Sequence, residues 1–330
     1  SRRGNSAAAA AFAAAKYGHR GFKLYENLGR RLSEEASKLS ALDCAHAAGG
    51  YLRGPGSIAE KVVLKGPVGE RILQLGFSSF DAEALTMLLD GLSRSRPSVW
   101  GVEAMAGALL EELHPRLAEL SSKQLASVAR SFGHLQPQVP QVLQELLDRC
   151  EKATSSDEAA MPPRYVAMLC QGISAQPASL LPDAPQRLKR LLPQVTLALD
   201  GKPTAVSLAQ FLHSLARCEP CNERTAALDA CSSSLAARCC ELPAMALVVL
   251  AESMAAVART GAVSPPSLLR EVSKQLDVKR YDLAPGTLWR AAKALQSLGA
   301  TPESILKLEP RDEPAAAKRP RRKGSVSPER

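Results

Sequence analysis

Apolar residues recur along this chain at helical spacing, and the helical pattern itself repeats. In Leu120-Ser-Ser-Lys-Gln-Leu125-Ala-Ser-Val128-Ala129-Arg-Ser-Phe132 the apolar positions are the first, sixth, ninth, tenth and thirteenth. That is one face of a helix with 3.6 residues per turn. The same face appears at Phe80, Leu85, Leu88, Leu89 and Leu92, and upstream at Leu39, Cys44, Ala47, Ala48 and Tyr51. Downstream it returns at Met161, Val166, Leu169, Cys170 and Ile173, and at Leu208, Phe211, Leu212 and Leu215 behind Pro203. Leu242, Leu247, Leu250, Ala251 and Met254 make a sixth copy, and Leu283, Leu288, Ala291, Ala292 and Leu295 a seventh. Successive sixth positions (Cys44, Leu85, Leu125, Val166, Leu208, Leu247, Leu288) lie 39 to 42 residues apart.

Between copies runs a turn and a second helical pattern, over 138–149, 184–192 (ending at Pro193), 222–238 and 265–276. Proline is tolerated at a helix start because its missing N–H would be unsatisfied there anyway. The pattern predicts an all-α fold, an α-solenoid of about seven helix–turn–helix repeats of ~41 residues. One such pair cannot bury its face alone, so stacking supplies the core. With helices ~8–10 Å apart, seven pairs give a curved rod of roughly 60–70 Å.

The segment Leu120–Leu135 resembles the "leucine-serine-x-x-x-leucine-alanine" first helix of octotricopeptide-type repeats, found in organellar RNA proteins that include the FAST kinase-like and RAP-domain families. Phe80–Leu92 and Leu283–Leu295 echo it, and the resemblance spans about residues 39 to 300. The period here is longer than that family's, and a basic tail stands where a RAP domain would often follow. The resemblance implies organellar RNA metabolism or a place in an organellar ribonucleoprotein, most readily mitochondrial.

Charge divides the chain into three. The net charge is +9 over 330 residues, yet residues 1–25 hold five basic residues and no acid, and residues 318–330 hold six basic residues and one acid. The body between is electrically balanced. Residues 1–25 read as a basic, Ala-rich N-terminal arm with the composition of a transit-peptide remnant. Residues 26–308 read as the solenoid, and residues 309–330 as a disordered basic tail. Its Lys318–Lys323 run also matches a nuclear-import signal, and a plastid is the other organelle the arm would suit. The longest apolar run, Leu242 to Ala251, is too short for a membrane span.

Catalytic and metal motifs are sparse. No kinase signature, G-x-S-x-G elbow or HExxH occurs. Cys218-Glu-Pro-Cys221 could form half a zinc site with Cys239-Cys240, but the helix expected between them separates the pairs by ~24 Å. The glycines of Gly49-Gly50-Tyr-Leu-Arg-Gly54-Pro-Gly56 lack the lysine of a phosphate loop and read as a turn. The sequence therefore points to no enzyme, no cofactor, no metal and no small-molecule substrate.

What remains is the fourth, eighth and eleventh positions of each copy, which face away from the core: Lys123, Ser127, Arg130; Glu83, Met87, Asp90; Arg164, Met168, Gln171; Val206, Gln210, His213; Gly286, Arg290, Lys293. On this face Arg130, Arg290 and Lys293 are the expected phosphate ligands, and Gln171 and Gln210 the expected readers of base edges. At the ends the expected RNA contacts are Arg2, Arg3, Arg20 and Lys23, and Lys318, Arg319, Arg321, Arg322 and Lys323. The copy at Ala244–Ala251 is apolar all round, as in a helix wholly buried or covered by a partner. Three functions fit. One is a non-catalytic component of an organellar ribonucleoprotein, foremost a mitochondrial ribosome, with ribosomal RNA and neighbouring proteins as partners. Another is a free-standing RNA-binding factor for transcript stability or processing. The last is a protein-only scaffold in a respiratory or other assembly.

Overall fold

The computed structural model describes residues 6–19, 21–54, 56–94, 102–155, 161–261 and 265–300. Every regular element among them is helical. In chain order they are α1 (Ser6–Lys16), α2 (Phe22–Glu34), α3 (Ala41–Tyr51), α4 (Gly56–Ala59), α5 (Pro67–Leu75), α6 (Ala82–Arg94), α7 (Val102–Leu113), α8 (Ser122–Leu135) and α9 (Pro140–Ser155). There follow α10 (Pro163–Ser174), α11 (Ala184–Arg190), α12 (Leu192–Asp200), α13 (Ala205–Leu215), α14 (Asn222–Ala236), α15 (Ala244–Arg259), α16 (Pro266–Val278) and α17 (Pro285–Ser297). None is long and apolar enough to cross a membrane.

The seven sequence copies fall on α3, α6, α8, α10, α13, α15 and α17, and each of these helices packs on the next. Each but the last also packs on the helix that follows it in the chain, so two layers form, with the apolar face of the first helices between them. Every apolar position named in the copies is buried except Leu283, which is half-buried. The register of the sequence pattern is therefore the register of the core.

Three devices recur along the stack. In four copies the side chain at the second position caps the helix. Ser40 and Asp43 form a reciprocal capping box, as do Ser121 and Gln124, while Asp81 and Thr204 accept from the backbone N–H groups of Ala84 and Ser207. In four copies the carbonyl of the first position is held by a cation from the second layer. Arg71 donates to Leu39 O at 3.1 Å, Arg116 to Phe80 O at 2.6 Å, Arg238 to Pro203 O at 2.8 Å and Lys279 to Leu242 O at 2.5 Å.

The twelfth position is small in all seven copies: Gly50, Gly91, Ser131, Gly172, Ser214, Ser253 and Ala294. Here successive first helices meet backbone to backbone. A Cβ on Gly172 would stand 2.3 Å from the carbonyl oxygen of Ala129, and one on Gly50 would stand 2.6 Å from the carbonyl carbon of Ala11. Where serine occupies the column, its hydroxyl bonds its own helix carbonyl (Ser131 to Ser127, Ser214 to Gln210, Ser253 to Val249). The buried hydroxyl is thereby satisfied without widening the gap.

The structure departs from the sequence reading in three places. Residues 6–16, read as part of a basic arm, form α1, which packs on α3 as α3 packs on α6. Ala7, Ala8 and Ala11 are buried and Phe12 lies 5.1 Å from the His46 ring, because a run of alanines is the surface that can approach Gly49 and Gly50 closely. Gly49 and Gly50 accordingly lie inside α3, and only Leu52 to Gly54 form the turn. Pro193 does not end the helix over 184–192 but stands in the first turn of α12, where its ring costs no hydrogen bond. Arg2, Arg3, Arg20 and the residues from 301 on, including Lys318, Arg319, Arg321, Arg322 and Lys323, lie outside the described residues.

Replacing Leu125 or Leu208, which sit at the sixth position and are 4 % and 1 % exposed, by Ala lowers unfolding free energy by about 2–5 kcal/mol in urea titration. Glycine in a helix ordinarily gains stability on change to Ala, by about 0.5–1 kcal/mol. Gly107→Ala in α7, where a Cβ meets nothing within 4 Å, follows that rule. Gly172→Ala reverses it, losing about 1–3 kcal/mol as the two helices are forced apart.

Candidate nucleic-acid interface

The outward positions of α6, α8 and α10 come together in one open groove of about 250 Å³, lined also by Arg53 from the turn after α3. Five cations border it (Arg53, Arg94, Lys123, Arg130, Arg164) against two carboxylates, Glu83 and Asp90. A nearly neutral body thus concentrates positive charge on this face.

Asp90 organises the groove. Its carboxylate is 6 % exposed and meets three guanidinium groups: Arg53 from the preceding unit, Arg130 from the following one, and Arg94 one turn on in α6, whose Nε lies 3.1 Å away. Burial pushes the Asp90 carboxyl up, but the charges of Arg130, Arg94 and Arg53 outweigh it and bring the pKa down to about 2. One carboxylate balances only one of three cations, so the cluster keeps a surplus of positive charge. The Nε groups of Arg53 and Arg130 are buried without a partner. Lys123 and Arg164 are exposed, and Lys123 stands 5.9 Å over the ring of Tyr165.

Of the residues expected to contact RNA, most of those described are already engaged. Arg130 is bound to Asp90, 40 positions earlier in the chain. Gln210 donates to Gln171 at 2.9 Å, which ties the two amides together across adjacent helices. Arg290 pairs with Glu252 at 2.6 Å, and Lys293 lies 3.9 Å over the Trp289 ring. His213 bonds Ser253 Oγ at 2.9 Å; because Ser253 spends its proton on Val249 O, the imidazole is the donor, and burial with Arg217 nearby lowers its pKa to about 4. Lys23 projects from α2 into solvent. Sequence spacing puts Lys123 and Arg164 on this face, at the fourth position of their copies. Arg94 and Arg53 were missed: Arg94 was legible as a partner four residues after Asp90, whereas nothing local marks Arg53.

Further along, the same face changes character. Val206, Met245 and Val249 occupy fourth and eighth positions and are 41 %, 54 % and 37 % exposed. The helix apolar all round is therefore not wholly buried. Among the described residues no group of three or more His, Cys, Asp or Glu side chains is arranged to hold a metal ion. Cys218 and Cys221 lie before α14 and Cys239 beyond its other end.

Fold and groove together define an all-helical protein of stacked hairpins with a cationic cleft on its first-helix layer. No family model matches the chain, and no curated protein matches its sequence.

Asp90 stabilises the fold as long as it is ionised. Its folded pKa lies below the unfolded value of 3.8, so its contribution, about 2 kcal/mol, is fully present above pH ~5 and lost as pH falls towards 2. Asp90→Asn, which leaves three clustered arginines uncompensated, costs about 3 kcal/mol at pH 7 and flattens the acid limb of a urea-unfolding series run between pH 2 and 6.

Proposed function

We propose that this protein is a non-catalytic α-solenoid of helix–turn–helix units of about 41 residues that binds RNA through the phosphate backbone, as a component of an organellar ribonucleoprotein. The observation that carries the reading is the groove: five cations against two carboxylates on the outward face of three consecutive first helices. Positively charged side chains release condensed counterions from phosphate and so bind without reading sequence. Arg53, Arg94 and Arg130 act as a fixed cationic floor, and Lys123 and Arg164 as the free ligands at its rim. The paired Gln171 and Gln210 argue against base-edge readout on this face, which favours a structural component over a sequence-selective factor.

The likeness to octotricopeptide-type repeats supports an organelle, with a mitochondrial ribosome the leading assembly and ribosomal RNA the leading ligand. The basic segments at 1–25 and 318–323 add charge at both ends. A protein partner is supported by a separate observation, the exposed Val206, Met245 and Val249, which suit a neighbouring subunit of such an assembly.

Filter binding of a structured ribosomal RNA fragment across 50–300 mM salt tests the reading. The double change Lys123→Ala and Arg164→Ala weakens binding and reduces the salt slope by about 0.7–0.9 per charge removed, without loss of helical content by circular dichroism. Co-sedimentation of the native protein with ribosomal particles is the expected cellular counterpart. Salt-independent binding, or a slope untouched by the double change, would falsify the groove as the RNA site.

A further inference from the structure

The groove over α6, α8 and α10 is not only cationic. Tyr165, in the first turn of α10, forms part of its wall, with Met87 from α6 and Met168 further along α10. Tyr165 stands at the fifth position of its copy, where the other copies hold Ala, Ser, Thr, Asp or Gln. The repeat therefore requires no aromatic ring there. The residue packs against the core on one side and is half-exposed along the groove. Among the described residues no other ring packs on it, and its hydroxyl makes no hydrogen bond. Tyr25 and Tyr51 show the structural use of such residues. Both are buried, their rings meet edge to face at 5.4 Å, and the Tyr51 hydroxyl donates to Tyr25 O at 2.7 Å.

Two cations flank the Tyr165 ring. Lys123 Nζ lies 5.9 Å from its centroid, and Arg164 is its neighbour in the chain. Both are exposed, and neither pairs with a carboxylate among the described residues. Arg187, in the other layer, is the contrast: it meets Asp148 at 2.9 Å, Glu151 at 2.7 Å and Asp183 at 2.9 Å. At its distance Lys123 stands at the outer limit of attraction to a ring face, so a nearby anion draws it away. Glu83, exposed on the α6 wall, repels an anion and leaves the α8–α10 side to it.

An aromatic and thioether surface beside free cations suits an unpaired nucleotide, whose base is apolar on its faces and whose phosphate is anionic. A duplex offers that surface nothing, because its base faces are stacked inside the helix. The groove, about 250 Å³, is on the scale of a single nucleotide. We propose that it takes one unpaired nucleotide of an RNA strand, with the base stacked on Tyr165 beside Met87 and Met168 and the phosphate held by Lys123 and Arg164. Lys123 moves from the ring face to the phosphate as the base arrives. Every base has a π-face, so the site accepts all of them and reads no sequence. The inference rests on the RNA reading of the groove and adds what the strand offers there, an unpaired base.

Fluorescence anisotropy of the full chain tests it, with a labelled oligouridylate, an abasic ribose-phosphate strand of equal length, and uridine monophosphate as competitor. The two strands carry the same charge, so a difference between them reports the base. The oligouridylate binds about tenfold tighter than the abasic strand and displaces label far better than uridine monophosphate does. Tyr165→Leu removes the advantage of the oligouridylate and leaves its salt slope at the wild-type value, while Tyr165→Phe, which keeps the ring, keeps the advantage. Equal affinity for the two strands, or an advantage retained in folded Tyr165→Leu, overturns the nucleotide site. Phosphate-backbone binding then still stands if affinity falls with salt, whereas absence of salt-dependent binding overturns both. Uridine monophosphate as tight as the oligomer overturns the strand as occupant. Should Tyr165→Leu not fold, irradiation of the wild-type complex with an iodouridine-substituted strand decides: attachment at Tyr165 supports the site, and attachment only elsewhere overturns it.

Discussion

The closest approach between helices sets the geometry of this protein. At the twelfth position of the α10 copy the first helices come near enough that a methyl group on Gly172 would enter the carbonyl of Ala129. Close approach fixes the spacing of the layer, and with it which side chains reach across to the next unit. The polar ladder follows from that spacing: Ser131 meets Ser93 at 3.4 Å and Ser214 meets Ser174 at 3.3 Å. Asp90 is held between Arg53 and Arg130 in the same way, each supplied by a neighbouring unit. In a stack where each unit touches only its neighbours, stability is close to a sum of units and interfaces. A change in one column position therefore acts on two interfaces at most.

Charge is distributed on this scaffold by the same rule of neighbours. Between Asp90 and its three arginines the balance is positive, and between Arg187 and its three carboxylates it is negative. The first cluster faces the groove and the second joins the helices of the other layer. A charge count over the whole body averages these to nearly nothing and so conceals both. Local surplus, with low-dielectric walls around it, is what a polyanion responds to. The near-neutral body and the cationic groove are thus compatible.

On the first-helix face the character passes from cationic at α6–α10 to apolar at α13–α15. Between them lie the Gln171–Gln210 pair and the neutral His213, which carry no charge and form hydrogen bonds within the stack. On this division rests the proposed function, in which one half of the face meets RNA and the other meets protein. The division is a poor match to a reader of single-stranded sequence, whose whole face would present free donors and stacking surfaces.

The sequence by itself determined the helices, their period and their buried face. Those follow from backbone hydrogen bonding within a segment and from the burial of apolar side chains, and both repeat with the chain. The small-residue column was equally legible, since Gly50, Gly91, Gly172 and the serines recur at one position, although its meaning as a contact between backbones was not. The tertiary structure alone decided which polar side chains are free. Arg130 has the position of a phosphate ligand, and the partner that occupies it, Asp90, is 40 residues away in the chain and adjacent in space. Likewise a run of alanines reads as an arm until Gly49 and Gly50 supply the surface on which it packs. Periodicity specifies the direction in which a side chain points. What it meets there depends on how closely neighbouring units approach, and that distance is a property of the packed stack.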